Sequence, residues 1–137
     1  MARRKNAQRL DAQRLDVRPP VAVGHIRLQV SKVAPAADFF ETVGMRRIFR
    51  QKSFAVLELR GGTHLVISET AKKIRAGTAA PFDLMVDDIA AAHADYAAKE
   101  LSPTAIASGS IHSSFHVSGP DGYKLKITSS HAGGRAV

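Results

Sequence analysis

The sequence predicts an α+β domain built from two copies of one βαβββ module. The segment HIRLQVSKVAPAADFF, which begins at His25, aligns with PFDLMVDDIAAAHADY, which begins at Pro81, at a shift of 56 residues. In each copy a strand-like run is followed by apolar residues at helical spacing and then by three more strand-like runs. A repeat of this length indicates a duplicated unit with one fold.

The first module is predicted to begin with a strand in VGHIRLQV (23–30), where apolar and polar residues alternate. A helix follows, because Ala36, Phe39, Phe40 and Val43 form a stripe with spacing i, i+3, i+4, i+7. Pro35 near its start and Gly44 at its end are typical helix boundaries. Three strands are then expected in residues 46–52, 54–60 and 63–69, with Gly61-Gly62 as a hairpin turn.

The second module follows the same order. Its helix is predicted from the stripe of Ile89, Ala92, His93 and Tyr96, with Asp87 and Asp88 placed to cap the first amides. Strands are expected in residues 103–108, 111–118 and 123–129, with GPDG (119–122) as the turn. The single domain therefore spans residues 20–130, with modules at 21–69 and 81–130 and a polar linker at 70–80.

The two ends of the chain are predicted to be tails. Residues 7–16 repeat AQRLD twice, and a period of five matches neither a helix face nor a strand face. Pro19-Pro20 ends any regular structure there, so residues 1–19 are expected to form a disordered basic tail. Residues 131–137 are assigned to a C-terminal tail.

Composition limits the classes of function. The net charge is +8, but half of this excess lies in residues 1–18, and the body lacks clustered aromatic residues that would stack on bases. The sequence therefore argues against a nucleic-acid-binding domain, although the tail leaves open a scaffolding role. The chain has no cysteine, which excludes disulfides and thiolate chemistry. The sequence contains no run of about 20 apolar residues, which a membrane span would need. A cytoplasmic location is expected.

The segments HIRLQV, FFETVGM, VDDI and GPDGYKLKI resemble the vicinal-oxygen-chelate superfamily, over residues 21–130. This superfamily includes glyoxalase I, extradiol dioxygenases, and fosfomycin- and bleomycin-resistance proteins. The resemblance implies that the two modules form a curved mixed sheet with a concave cup and with the helices on its outer face. It also implies a homodimer.

The resemblance further implies four positions for the ligands of a divalent metal, and these are His25, Val66, Pro81 and Lys126. Only the imidazole of His25 is a suitable donor, because valine and proline side chains offer none and a lysine is cationic at neutral pH. The usual metal site is therefore absent. The sequence predicts no metal cofactor, and if any metal is bound, His25 is its expected ligand.

The alternation of side chains along each strand separates a helix side from a cup side. The helix side is almost wholly apolar, whereas the cup side carries the candidate ligand-binding residues His25, Arg27, Glu58, His64, Asp83, His112, Ser114, His116, Lys124 and Lys126. The guanidinium of Arg27 suits a carboxylate or phosphate. We expect Asp83 and Glu58 to form ion pairs with the two lysines.

Two functions remain open at this point. The favoured one is a metal-free protein of the bleomycin-resistance type that binds a polar or anionic small molecule in the cup. The alternative is a glyoxalase- or dioxygenase-like enzyme, acting as a lyase, isomerase or oxygenase. In that enzyme His25 would combine with His64, His112, His116 or Glu58, around a relocated divalent metal or as general acid and base.

Overall fold

The computed structural model describes residues 15–137 and contains two βαβββ modules. The first module comprises β1 (His25–Val30), α1 (Val33–Val43), β2 (Arg46–Arg50), β3 (Phe54–Glu58) and β4 (His64–Glu69). The second comprises β5 (Leu84–Val86), α2 (Ile89–Ala98), β6 (Ala107–Ser108), β7 (Ser113–Ser118) and β8 (Lys124–Ser129). The predicted fold class and the duplication are confirmed. Most of the tail predicted over residues 1–19 lies outside the described residues.

Each module forms its own four-stranded mixed sheet. The strand order is β1-β4-β3-β2 in the first sheet and β5-β8-β7-β6 in the second. In both sheets the module's first strand runs parallel to its last strand, and the other neighbours are antiparallel. The first strand of each module therefore lies at the edge of its sheet.

All strands are shorter than the runs predicted from the sequence, and β5 and β6 are the shortest. Strand β5 has three residues although its apolar run starts at Phe82, and Pro81 before that run has no amide hydrogen to donate to β8. Strand β6 has two residues rather than six. Strand β2 ends at Arg50, and its register with β3 shifts between Arg47 and Phe49. The bulge there twists the exposed edge of the first sheet, which disfavours pairing with another chain.

Helix α1 follows the predicted stripe. Ala36, Phe40 and Val43 are buried against the first sheet, and Phe39 is half-buried. The helix ends at Gly44, whose φ of 132° is one that residues with a Cβ rarely adopt.

Helix α2 begins with one of the two predicted caps. The Asp88 carboxylate accepts a hydrogen bond of 2.9 Å from the amide of Ala91. The carboxylate of Asp87 instead accepts two hydrogen bonds from Arg60 in the first module, at 2.9 and 3.1 Å. The expectation that both aspartates cap the helix is therefore correct only for Asp88.

The two hairpins between the last strands have the same turn. Each is a short 3₁₀ turn, at Arg60–Gly62 and at Pro120–Gly122. The middle residues occupy the left-handed region, with φ of 85° at Gly61 and 57° at Asp121. Aspartate tolerates this conformation because its short side chain can hydrogen-bond locally.

One hydrophobic core serves both modules. It contains the helix-side residues predicted from strand alternation, and Leu57, Leu65, Ile67 and Ile127 have no exposed surface at all. The ring of Phe40 in the first module packs against Phe82 in the second, with centroids 6.1 Å apart. The strand frames assigned from the sequence are therefore correct.

Polar contacts fix the modules to each other around this core. The Tyr96 hydroxyl donates to the carbonyl of Val43, and the Tyr123 hydroxyl donates to the carbonyl of Gln29, both at 2.8 Å. The amide of Ser31 donates to the Asp121 carboxylate at 2.6 Å. None of the helices within residues 15–137 has the length and apolar character needed to cross a membrane.

Replacing Asp88 by alanine should destabilise the protein by about 1 kcal/mol, because the first turn of α2 loses its capping acceptor. Asp87→Ala is the matched control. It removes an ion pair whose side chains are 68% and 74% exposed, and should cost only about 0.3 kcal/mol. Urea unfolding followed by circular dichroism measures both values. Equal losses in the two variants would contradict the assignment of Asp88 as the cap.

Candidate functional site

The face of each sheet opposite to its helix is open and carries the polar side chains. We call it the open face. In the first sheet it consists of His25, Arg27, Gln29, Val56, Glu58, His64, Val66 and Ser68, and in the second of Asp83, Met85, His112, Ser114, His116, Lys124, Lys126 and Thr128. All of these residues except Thr128 are exposed or half-buried. Eight of the ten residues predicted to bind a ligand thus lie in strands of the two sheets, and Asp83 and His112 immediately precede β5 and β7.

A row of four side chains crosses the open face of the first sheet. The strand register places His25 beside His64, His64 beside Glu58, and Glu58 beside Arg46. The two imidazole rings meet edge to face with centroids 6.0 Å apart, and Nε2 of His64 lies 3.4 Å from Oε2 of Glu58. Arg46 donates from Nη2 to the other oxygen of Glu58. Sequence reasoning missed Arg46, because its place in the row depends on the bulged register of β2.

Both oxygens of the Glu58 carboxylate contact side chains of this row. The hydrogen bond from Arg46 holds the pKa of Glu58 below its ordinary value, and the neighbouring His64 acts in the same direction. The expectation that Glu58 pairs with Lys124 or Lys126 is wrong, because those lysines lie in the second sheet. Asp83 likewise makes no ion pair within residues 15–137.

The open face of the second sheet is cationic. His116 lies opposite Lys126, and Ser118 lies opposite Lys124. Lys126 is the one half-buried lysine in residues 15–137, and the other six are exposed. Neither Lys124 nor Lys126 forms an ion pair in this part of the chain. A half-buried ammonium without a carboxylate loses hydration that none of residues 15–137 replaces with an ion pair.

The surroundings of His116 lower its pKa. Partial burial lowers its pKa, the positive charges of Lys124 and Lys126 lower it further, and the carboxylate of Asp83 opposes them. His116 is therefore mostly neutral at pH 7. A cavity of about 280 Å³ lies beside it, lined by Ser102, Thr104, His116, Ser118 and Lys124 among others.

Thr128 is the one covered residue of this open face. Thr128 is only 1% exposed, and its hydroxyl makes no hydrogen bond to residues 15–137. The ring of His131 lies 4.5 Å from the ring of His112, which brings the C-terminal segment to the end of the face at His112. His112 precedes β7, so His112 and His116 do not belong to one strand as the sequence suggested. The face is not closed at this end, because a cavity of about 250 Å³ is lined by His112, Ser114 and Lys126 among others.

Arg27 lies on the open face of the first sheet, opposite Val66 on the neighbouring strand. Its side chain is exposed and makes no hydrogen bond or ion pair to the described residues. The guanidinium is thus available for a carboxylate or phosphate, as its chemistry suggests.

The side chains do not fit a divalent metal at the four positions that the resemblance implies. Val66 faces the open side without a donor, Pro81 lies exposed ahead of β5, and Lys126 adds a positive charge. Among residues 15–137, no group of three histidine, aspartate or glutamate side chains is placed to hold a metal ion. His25 alone cannot make a metal centre, since even catalytic zinc sites use three protein ligands.

Comparison with solved structures identifies the fold. A lactoylglutathione lyase from Agrobacterium tumefaciens superposes with a TM-score of 0.67 at 16% identity, covering 85% of this chain and 99% of that one. A bleomycin-binding protein from Streptomyces verticillus, complexed with copper(II)-bleomycin, gives 0.65 at 22% identity and covers 82% and 99%. The chain has the glyoxalase/bleomycin-resistance fold.

A third structure with this fold, a glyoxalase/bleomycin resistance protein/dioxygenase from Alicyclobacillus acidocaldarius, gives a TM-score of 0.66 at 18% identity and covers 82% and 94%. The predicted α+β fold of two βαβββ modules is therefore confirmed. No protein-family model matches the sequence, and no curated protein matches it. At these identities the glyoxalase/bleomycin-resistance fold is shared by proteins of different activity, so function must be argued from the open faces.

Replacing Lys126 by glutamine should raise the pKa of His116 toward its ordinary value, because one of the positive charges that oppose protonation is removed. NMR titration of the His116 ring protons measures this. Lys52→Gln is the matched control, since Lys52 is exposed in the β2–β3 turn. The pKa of His116 in the folded protein is lowered from 6.5, so the unfolded chain takes up this proton more readily than the folded one. The free energy of unfolding should therefore decrease as the pH drops below about 6.5. An unchanged His116 titration in Lys126→Gln would contradict this arrangement.

Chelation should leave the thermal midpoint unchanged. A metal bound to the folded state stabilises it, and its removal lowers the midpoint. The open faces offer no set of three ligands, so we expect EDTA to have no effect in differential scanning calorimetry. A midpoint that falls on chelation and recovers with one divalent ion would show that His25 belongs to a working metal site.

Proposed function

We propose that this protein binds a small anionic molecule, without a metal, on the open face of the second sheet. The observation that carries the proposal is Lys126, a half-buried lysine that faces the open side and has no carboxylate partner among the described residues. Desolvating an ammonium is costly unless an anion or hydrogen-bond acceptor compensates. A bound carboxylate or phosphate would supply that compensation.

The groups around Lys126 are suited to bind an anion with several oxygen atoms. Lys124 adds a second positive charge, and the hydroxyls of Ser114 and Ser118 lie on the flanking strand β7. Neutral His116 can donate one hydrogen bond and accept another. Lys126 lines a cavity of about 250 Å³ with His112 and Ser114, and Lys124 and His116 line another of about 280 Å³. Both are slightly smaller than the usual ligand pockets of about 300–1,000 Å³, which favours a ligand of a few heavy atoms.

The fold is compatible with such a role. The bleomycin-binding protein with this fold binds copper(II)-bleomycin, so the scaffold carries small-molecule binding in at least one protein. A homodimer is part of the proposal. The exposed side chain of Ile111 would be available to a second copy.

The row of side chains on the first sheet favours a second candidate function, an acid–base enzyme. Glu58 accepts from Arg46 and lies within hydrogen-bond reach of His64, an arrangement that can fix the tautomer and orientation of an imidazole. His25 stands beside His64. This row could move a proton to or from a bound molecule.

Isothermal titration with inorganic phosphate and with malonate tests the first candidate. We expect saturable binding that weakens as ionic strength rises. Lys126→Gln should reduce affinity about tenfold or more, because a hydrogen bond to a charged group contributes roughly 1.5–3 kcal/mol. Lys52→Gln removes the same charge at an exposed site and should bind like the wild type.

Two outcomes would count against this proposal. One is the absence of binding at millimolar anion, and the other is an equal loss of affinity in both lysine variants. Turnover of a small molecule, lost in His64→Gln but retained in Lys126→Gln, would instead establish the acid–base candidate.

A further inference from the structure

We propose that a second site, between the two modules, binds a small uncharged apolar molecule. A cavity of about 450 Å³ lies there, and its walls are largely formed by Ile26, Met45, Leu59, Phe82, Leu84 and Tyr96. This volume is within the range of about 300–1,000 Å³ typical of small-molecule pockets. The cavity shares no lining residue with the group of His116, Lys124 and Lys126.

Polar contacts between the modules hold this cavity open. At the cavity itself, the hydroxyl of the buried Tyr96 donates a hydrogen bond to the Val43 carbonyl. At the opposite side of the module interface, the Tyr123 hydroxyl is bonded to the Gln29 carbonyl. Collapse of the walls would require the modules to approach each other and break these hydrogen bonds, which costs energy when the groups are buried. The cavity is therefore preformed.

The duplicated module shows that the fold does not require an empty space at this position. Thr63 and Tyr123 occupy the same place, immediately before the last strand of each module, with nearly identical backbone angles (φ −58°, ψ 131° and φ −54°, ψ 135°). The ring of Tyr123 is buried between the modules, whereas Thr63 lines the cavity. A small side chain therefore stands where the other module has an aromatic one.

A second pair of equivalent positions also has an aromatic residue on one side of the module interface and none on the other. Phe39 in α1 packs so closely on Gly119 that a Cβ there would lie 3.3 Å from the Phe39 ring. The residue equivalent to Phe39 in α2 is Asp95, whose carboxylate pairs with Lys99 at 2.9 Å. One side of the module interface is thus filled by two aromatic rings, and the other side lacks both.

The polar groups at the cavity define the class of ligand. The Thr63 hydroxyl already donates to the Val23 carbonyl at 2.5 Å, and Tyr96 and Arg60 are paired as described. The remaining charge is the carboxylate of Asp83 at the rim, which would repel an anion. A carboxylate or phosphate ligand is therefore disfavoured, and an uncharged aromatic or aliphatic molecule is favoured.

The test uses N-phenyl-1-naphthylamine, an uncharged dye that fluoresces in apolar surroundings, with the full chain. We expect a saturable signal with one dye molecule per chain. Val23→Trp should weaken dye binding at least about tenfold, equivalent to 1.4 kcal/mol, because Val23 lines the mouth of the cavity. Val21→Trp is the matched control, since Val21 and Val23 are 81% and 60% exposed and Val21 does not line the cavity.

A second variant tests the comparison between the modules. Thr63→Tyr places in the first module the residue that the second module has, and it should abolish dye binding while raising the thermal midpoint. Lys126→Gln should bind the dye like the wild type, which separates this site from the anion site. The absence of a saturable signal, or dye binding by Thr63→Tyr and Val23→Trp that equals that of the wild type, would overturn the proposal.

Discussion

The packing of both modules onto one shared core determines where everything else in this protein lies. Each sheet buries one face against its own helix and the other module, and Phe40 meets Phe82 at the contact between the modules. Because side chains alternate along a strand, burying one face sends every second residue to the other face. The polar open faces follow directly from burial of the leucines and isoleucines on the helix side.

Duplication has preserved the contacts between the modules while changing the residues that make them. The junction between first strand and helix meets the 3₁₀ turn of the other module in both halves, through Ser31 and Asp121 on one side and through Asp87 and Arg60 on the other. The open faces have diverged more strongly. On the first face, Glu58 lies between Arg46 and His64 and contacts both. On the second face, Lys124 and Lys126 have no acidic partner among the described residues.

The sequence predicted the modules, the helices and the two sides of each strand, because burial imposes a period that can be read from residue type. It predicted the partner of Glu58 incorrectly, because that partner depends on strand pairing and on a bulge in β2, which periodicity does not reveal. The contact of His131 with His112 depends on the path of the C-terminal segment, which has no periodic signal. The cavity between the modules depends on how the two modules pack against each other, which the period within one module does not reveal.

The proposed anion site is consistent with the side chains at the positions that the resemblance implies for metal ligands. A divalent metal supplies positive charge that attracts oxygen atoms of a ligand. Lys126 occupies one of the positions implied for a metal ligand and supplies a fixed positive charge there instead. An ammonium cannot activate water or polarise a carbonyl as strongly as a divalent ion does, but it can bind an anion through charge-assisted hydrogen bonds. The second sheet is thus better suited to hold an anion than to transform it.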